Sequence, residues 1–172
     1  MPIKVAYFGS KAYDATETDW MTSLSVNVAG AGYMMSACVH HMNRAKPGRR
    51  SICLLTSISG SLAQPNRWTY GACKGALWTL VRQSALDLAR DFQIRVNSVS
   101  PAWIWTPEVA KVFSDKQDCQ QSAGRSFHML GRVGETNEVA AAISFLASRD
   151  ASFIHGVDLP GILIKSYFNS NA

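Results

Sequence analysis

Ser51-Ile52-Cys53-Leu54-Leu55-Thr56-Ser57-Ile58-Ser59-Gly60, followed shortly by Trp68-Thr69-Tyr70-Gly71-Ala72-Cys73-Lys74, is the stretch that decides the fold. Its first part is a short apolar run closed by Ser and Gly, which predicts a strand over Ser51–Ser57. From Trp68 the apolar spacing becomes helical and predicts a helix over Trp68–Phe92. The same alternation continues outward. Strands are expected at Ile3–Phe8, Ile94–Ser100 and Phe153–Leu159, and helices at Asp14–Met42 and Thr136–Ser148, the last opened by a Thr136 cap with acidic residues in its first turn. Strands alternating with helices argue for βαβ units and a parallel sheet.

The chain has 172 residues and 18.8 kDa, which suits one domain spanning 1–172. With 47% hydrophobic and 17% charged residues it is neither disordered nor collagen-like. The net charge of +5 comes from scattered basic residues, with only Arg49-Arg50 adjacent, so a nucleic-acid partner is not expected. Cys38, Cys53, Cys73 and Cys119 contain no C-x-x-C pair, and His40-His41 has no acidic or Cys partner at helical spacing. No metal is expected; the thiols read as reduced and the location as cytoplasmic. Trp20 to Asn43 lacks Asp, Glu, Lys and Arg, yet its Ser, Thr, Asn, Gly and His content is too polar for a membrane span. A helix buried on several sides is expected there, with His40-His41 as a surface or interface pair. The apolar run at the N-terminus is too short for a secretory signal.

Pro101 to Gly134 is polar and punctuated by Pro107, Gly124, Gly131 and Gly134, and reads as an irregular candidate lid after the carboxyl end of a strand. Gly30-Ala31-Gly32 is the lone G-x-G and is expected to serve close helix packing. No G-x-G-x-x-G turn, which would hold a pyrophosphate at a helix N-terminus, is present.

Tyr70 and Lys74 stand at i and i+4, on one face of their helix. A phenol ionises near pH 10, so making it a base near pH 7 requires about three units, or about 4 kcal/mol. A cation a few ångströms away supplies about one to three, and Lys74 is expected to be the only cation near Tyr70. Five tyrosines and seven lysines in 172 residues predict roughly 0.2 chance Y-x-x-x-K pairs. Requiring a serine thirteen residues earlier, as Ser57 is, lowers this to about 0.02.

These residues resemble the catalytic part of the short-chain dehydrogenase/reductase family, over about residues 20–160. Val26-Asn27-Val28-Ala29-Gly30 resembles its asparagine-bearing helix, Thr56 to Gly60 its catalytic-serine strand end, and Tyr70 to Lys74 its Y-x-x-x-K. Asn97 to Thr106 resembles the N-x-x-x-P-G-x-[IV]-x-T segment that lines the nicotinamide, with Ala102 in place of its glycine. Gly131 to Gly134 and Glu138-Val139-Ala140 resemble the start of its last helix, whereas Gly161 onward departs from its V-D-G-G ending.

The resemblance implies an α/β fold, a partial Rossmann, doubly wound parallel sheet lacking the first βαβ dinucleotide-binding units, on the order of 80 to 90 residues. It implies an NAD(P)-dependent oxidoreductase, NAD or NADP not being distinguishable, that moves a hydride between nicotinamide and an alcohol or ketone. Asn27, Ser57, Tyr70 and Lys74 would be catalytic: Tyr70 as general acid/base, Lys74 depressing its pKa and holding the ribose, Ser57 at the substrate oxygen, Asn27 positioning a water. Asn27, Tyr70, Lys74, Pro101, Ala102, Ile104 and Thr106 would meet the cofactor. A homo-oligomer, dimer or tetramer, is expected. The alternative is a catalytically silent fragment that acts as an oligomerisation partner.

Overall fold

The computed structural model describes residues 9–42 and 50–161, so the strand expected at Ile3–Phe8 lies outside the described residues. Helix α1, Glu17–Leu24, begins three residues later than the expected Asp14, because Thr16 and Asp19 form a reciprocal cap. The Asp19 N–H donates to the Thr16 hydroxyl (3.2 Å) and the Thr16 N–H to the Asp19 carboxylate (2.9 Å). A π-turn, Ser25–Ala29, separates α1 from α2, Gly30–Met42. Strand β1, Ser51–Leu55, leads through a 3-10 turn, Ile58–Gly60, to the long helix α3, Trp68–Phe92, and strand β2, Arg95–Ser100. The Arg50 guanidinium donates to the Phe92 carbonyl (2.6 Å), tying the start of β1 to the last turn of α3.

Pro101 to Gly134 is more ordered than the irregular lid expected of it. It holds a 3-10 turn, Val109–Lys111, helix α4, Lys116–Cys119, a second π-turn, Gln120–Gly124, and helix α5, Arg125–Phe127. Cys119, Ala123 and Val133 are buried with Trp103, Trp105, Val109 and Phe113 around them, a small core of its own. A parallel bridge between Ile104 and Gly134 closes the excursion at its base. His128 fastens it: Nε2 accepts the Trp103 N–H (3.2 Å), which leaves Nδ1–H to donate to the Arg132 carbonyl.

Helix α6, Thr136–Ala147, is not capped by Thr136. Glu135 occupies the cap position, and its N–H donates to the Glu138 carboxylate (2.8 Å), so Thr136 becomes the first helical residue. The last strand, β3, is Asp158–Pro160 rather than Phe153–Leu159. Phe153 lies fully exposed in a turn, and Gly156, at φ +70°, redirects the chain just before pairing begins.

The three strands are parallel in the order β1-β2-β3, with Leu55 opposite Val99 and Ser98 opposite Asp158. Ile52 and Leu54 pack toward a core made by Met35 and Val39 of α2, Leu77, Val81 and Ala85 of α3, and Val96. One residue out of phase, the Ser51 hydroxyl meets the Leu146 carbonyl of α6, so helices cover both sheet faces, the doubly wound arrangement. The Asp158 carboxylate gathers the hydroxyls of Thr56 (2.8 Å), Ser98 and Ser100 (2.6 Å), pinning the carboxyl end of the sheet where the site lies.

Two expectations about the first helical segment are corrected. Met21, Leu24, Tyr33 and Met34 are exposed, so α1 and α2 bury one face against α3 and β1 rather than several. Gly32 has open space where a Cβ would stand, and at Gly30 a Cβ would meet only the segment's own Ser25 carbonyl. The close packing belongs to Gly60, Gly71 and Gly75, which let α3 press on the 3-10 turn: a Cβ on Gly60 would stand 2.7 to 2.8 Å from backbone atoms of Lys74 and Gly75.

Candidate active site

Ser57 ends the path of β1 and caps the 3-10 turn, its hydroxyl accepting the Ser59 N–H (3.2 Å). Ser59 Oγ lies 3.3 Å away and donates to Gln64 Oε1 (2.6 Å), so the Ser57 side chain is held in a short polar chain. Ser57, Tyr70 and Ala102 line one cavity of about 140 Å³, together with Gln64, Arg67, Trp103 and Val109. A strand end and the first turn of the following helix thus bring the two hydroxyl side chains to one edge of the sheet.

Lys74 lies one turn below Tyr70, with its ammonium 5.5 Å from the Tyr70 ring centroid. It is 3% exposed and donates to the Leu55 carbonyl (3.0 Å), which anchors the helix to the last residue of β1. Burial brings its pKa down from 10.5 to about 8. Below pH 8 the folded state carries the buried charge; between 8 and 10.5 the folded chain sheds a proton that the unfolded chain keeps. Stability attributable to Lys74 therefore rises as pH climbs through 8 and is lost on acidification, by on the order of 3 kcal/mol in all. Urea unfolding from pH 7 to 10 will show wild type gaining on Lys74→Met across that window; a constant difference refutes it.

Asn27 is buried in the π-turn, and its Nδ2 donates to the Ser23 carbonyl (3.0 Å). The extra residue of the turn, closed by Gly30 N–H to the Ser25 carbonyl, interrupts the regular helical ladder at this position. Asn27 and Lys74 line an apolar cleft of about 540 Å³ between α2, β1 and α3. Pro101 and Ile104 line a third cavity of about 230 Å³, and Thr106 accepts the Val109 N–H (3.2 Å) at the start of the 3-10 turn. The expected residues thus fall into neighbouring groups: Ser57, Tyr70 and Ala102 share one cavity, Asn27 and Lys74 the adjoining cleft, Pro101 and Ile104 the third, and Thr106 borders none of these.

Lys74 is not the only cation at Tyr70. The Arg67 guanidinium lies 5.6 Å from the Tyr70 centroid and 5.3 Å from that of Trp103. The i, i+3 spacing of Arg67 and Tyr70 was a visible signal, but Arg67 precedes the helix proper, and its direction depends on Asn66 at φ +57° and a bridge to Ser10. No group of three or more His, Cys, Asp or Glu side chains that could hold a metal occurs among the described residues, and no described helix is long and apolar enough to cross a membrane.

Comparison with known proteins finds the chain similar to oxidoreductases. The family described as enoyl-(acyl carrier protein) reductase matches residues 3–160. A cyclopentanol dehydrogenase of a Comamonas species is 34% identical over 146 residues, covering 85% of this chain and 56% of that enzyme. The NADP-dependent (R)-specific alcohol dehydrogenase of Lentilactobacillus kefiri is 32% identical, with 84% and 56% covered. Ligand-free aldohexose dehydrogenase of Thermoplasma acidophilum superposes with a TM-score of 0.81 at 33% identity, covering 92% of this chain and 64% of that one. NAD+-bound xylitol dehydrogenase gives 0.76 at 31% identity, with 91% and 65% covered. The chain spans a little over half the length of the first two enzymes.

Proposed function

Since the chain belongs to the short-chain dehydrogenase/reductase family, we propose that it acts in NAD- or NADP-linked interconversion of an alcohol and a ketone, with Tyr70 as general acid/base. The observation that carries this reading is the buried Lys74 ammonium beside the Tyr70 ring, with Ser57 in the same cavity as Tyr70. When bound, a nicotinamide dinucleotide supplies or accepts the hydride. In the oxidation direction the Tyr70 oxygen takes the alcohol proton, and the Lys74 charge favours the phenolate that can do so. The Ser57 hydroxyl donates to the substrate oxygen as negative charge gathers there. Asn27, fixed by Ser23 in the π-turn, positions a water for a proton relay toward Lys74.

The residues fit the nicotinamide end of such a cofactor. An ammonium has three donors, and the Leu55 carbonyl engages one, so Lys74 retains capacity for ribose hydroxyls at the cleft it shares with Asn27. Pro101, Ala102, Ile104 and Thr106 follow β2 at the same edge of the sheet and would flank the ring. The 172 residues contain no glycine-rich turn for the pyrophosphate. Losing several charge-assisted hydrogen bonds, each about 1.5 to 3 kcal/mol, weakens binding by two or more orders of magnitude. Calorimetric titration of this chain is expected to give millimolar affinity at best for NADH or NADPH, abolished in Lys74→Met; micromolar affinity would contradict that expectation, and none at millimolar concentrations would contradict the cofactor assignment.

A homo-oligomer suits the exposed Tyr33 and Met34 of α2 and Leu86 of α3, apolar side chains on helices that cover one face of the sheet. Light scattering at tens of micromolar is expected to report a dimer or tetramer, and a clean monomer would refute it. A cytoplasmic setting accords with four cysteines that are all free thiols.

A further inference from the structure

We propose that Arg67 is a specificity-determining residue that selects substrates bearing a carboxylate near the reacting carbon, so that the preferred substrates are small hydroxy and oxo acids. This deepens, and rests on, the hydride-transfer reading above. The cavity that holds Ser57 and Tyr70 is bounded on one side by Arg67. Its guanidinium lies over the Tyr70 and Trp103 rings, 5.6 and 5.3 Å from their centroids, so two aromatic faces hold it at the wall of the cavity that Tyr70 and Ser57 share.

The backbone that carries Arg67 is fixed as well. Ser10 pairs with Arg67 in a parallel bridge, the Trp68 N–H donates to the Ser10 carbonyl (3.1 Å), and the Arg67 carbonyl accepts the Gly71 N–H (2.6 Å) in the first turn of α3. A planar, doubly donating cation on a rigid mount suits bidentate recognition of a carboxylate. The charge of the surroundings agrees. Among the described residues, neither this cavity nor the cleft of about 670 Å³ that shares Ser59, Gln64 and Arg67 with it has an acidic residue in its lining, and the larger one adds Lys11. An oxo acid would meet Ser57 and Tyr70 with its carbonyl oxygen and Arg67 with its carboxylate, an interaction that a neutral alcohol lacks.

The test compares 4-oxopentanoate with 4-oxopentanamide and acetoacetate with acetoacetamide, pairs alike in shape and unlike in charge, on wild type, Arg67→Met and Arg67→Lys. Turnover is read as consumption of NADH or NADPH, and binding by ligand-observed NMR. Wild type is expected to favour each acid by about 30- to 100-fold in kcat/KM and in Kd, the size of a charge-assisted pair. Arg67→Met should bring the ratio near unity and Arg67→Lys restore part of it. Both members of a pair are measured on one preparation, so loss of folded protein cancels from the ratio. A wild-type ratio near unity, a ratio unchanged in Arg67→Met, or no detectable binding of either acid overturns the assignment. Acid-selective binding that is lost in Arg67→Met, without turnover of any compound, upholds Arg67 and overturns hydride transfer; turnover without acid selectivity does the reverse.

Discussion

Tyr70→Phe is expected to lower turnover by about 10²- to 10⁴-fold at millimolar cofactor and to leave the fold unchanged. The substitution removes one oxygen and keeps the ring, so the contacts of Lys74 and Arg67 with the aromatic face persist while the proton acceptor is gone. In the oxidation direction the wild-type rate is expected to rise with pH through an apparent pKa well below that of free tyrosine, because two cations flank the ring rather than one. The value belongs to the Tyr70–Lys74 pair, since ionising one changes the proton affinity of the other. Lys74→Met should cost comparable turnover and also weaken cofactor binding, and Ser57→Ala should slow turnover with less effect on the cofactor. Steady-state rates over a panel of alcohols and ketones check this; wild-type rates in Tyr70→Phe would return the pair to a structural role.

Gly60→Ala is expected to destabilise the protein by about 2 to 3 kcal/mol, or about 5 to 10 °C in Tm, and to reduce turnover as well. One methyl group does this because it would stand 2.7 to 2.8 Å from the carbonyl carbon and oxygen of Lys74 and the nitrogen of Gly75, which are backbone atoms that cannot swing aside. Relief requires α3 to lift off the 3-10 turn, and α3 carries Tyr70 and Lys74 while the turn follows Ser57. Stability and catalysis are therefore coupled at this crossing. Gly32→Ala, in the open interior of α2, is the matched control: with nothing within 4 Å of the added Cβ it should stabilise by about 0.5 to 1 kcal/mol. Thermal denaturation of the two variants checks both signs, and equal shifts would show that the crossing tolerates a side chain.

The strand and helix around Ser57 and Tyr70 were legible because their causes are local. An apolar run closed by Ser and Gly has few alternatives to a short strand, and the helix Trp68–Phe92 follows from its own periodicity and ends at the expected residue. The i, i+4 relation likewise puts Lys74 beneath Tyr70 whatever the helix packs against. Boundaries set by caps were less legible: α1 starts after a Thr16 cap rather than at Asp14, and Glu135 rather than Thr136 caps α6, because a cap depends on which side chain reaches back to which N–H. The order inside residues 101–134 also escaped a reading by punctuation, since its core joins Trp103 and Trp105 to Cys119, Ala123 and Val133 across the excursion.

By itself the sequence determined the alternation of strands and helices, the Tyr70–Lys74 face and the order of the motifs, all consequences of periodicity within one element. Only the tertiary structure decided that Gly60, Gly71 and Gly75 form the close crossing while Gly30 and Gly32 do not, that Asp158 gathers one hydroxyl from the end of β1 and two from β2, that Asn27 sits in a π-turn, and that Arg67 joins Lys74 at the Tyr70 ring. The crossing, the Asp158 cluster and the direction of Arg67 each depend on where two distant backbones meet, as when Ser10 pairs with Arg67 from 57 residues away, and the path that brings them together is set by the packing of the whole sheet rather than by any spacing along the chain.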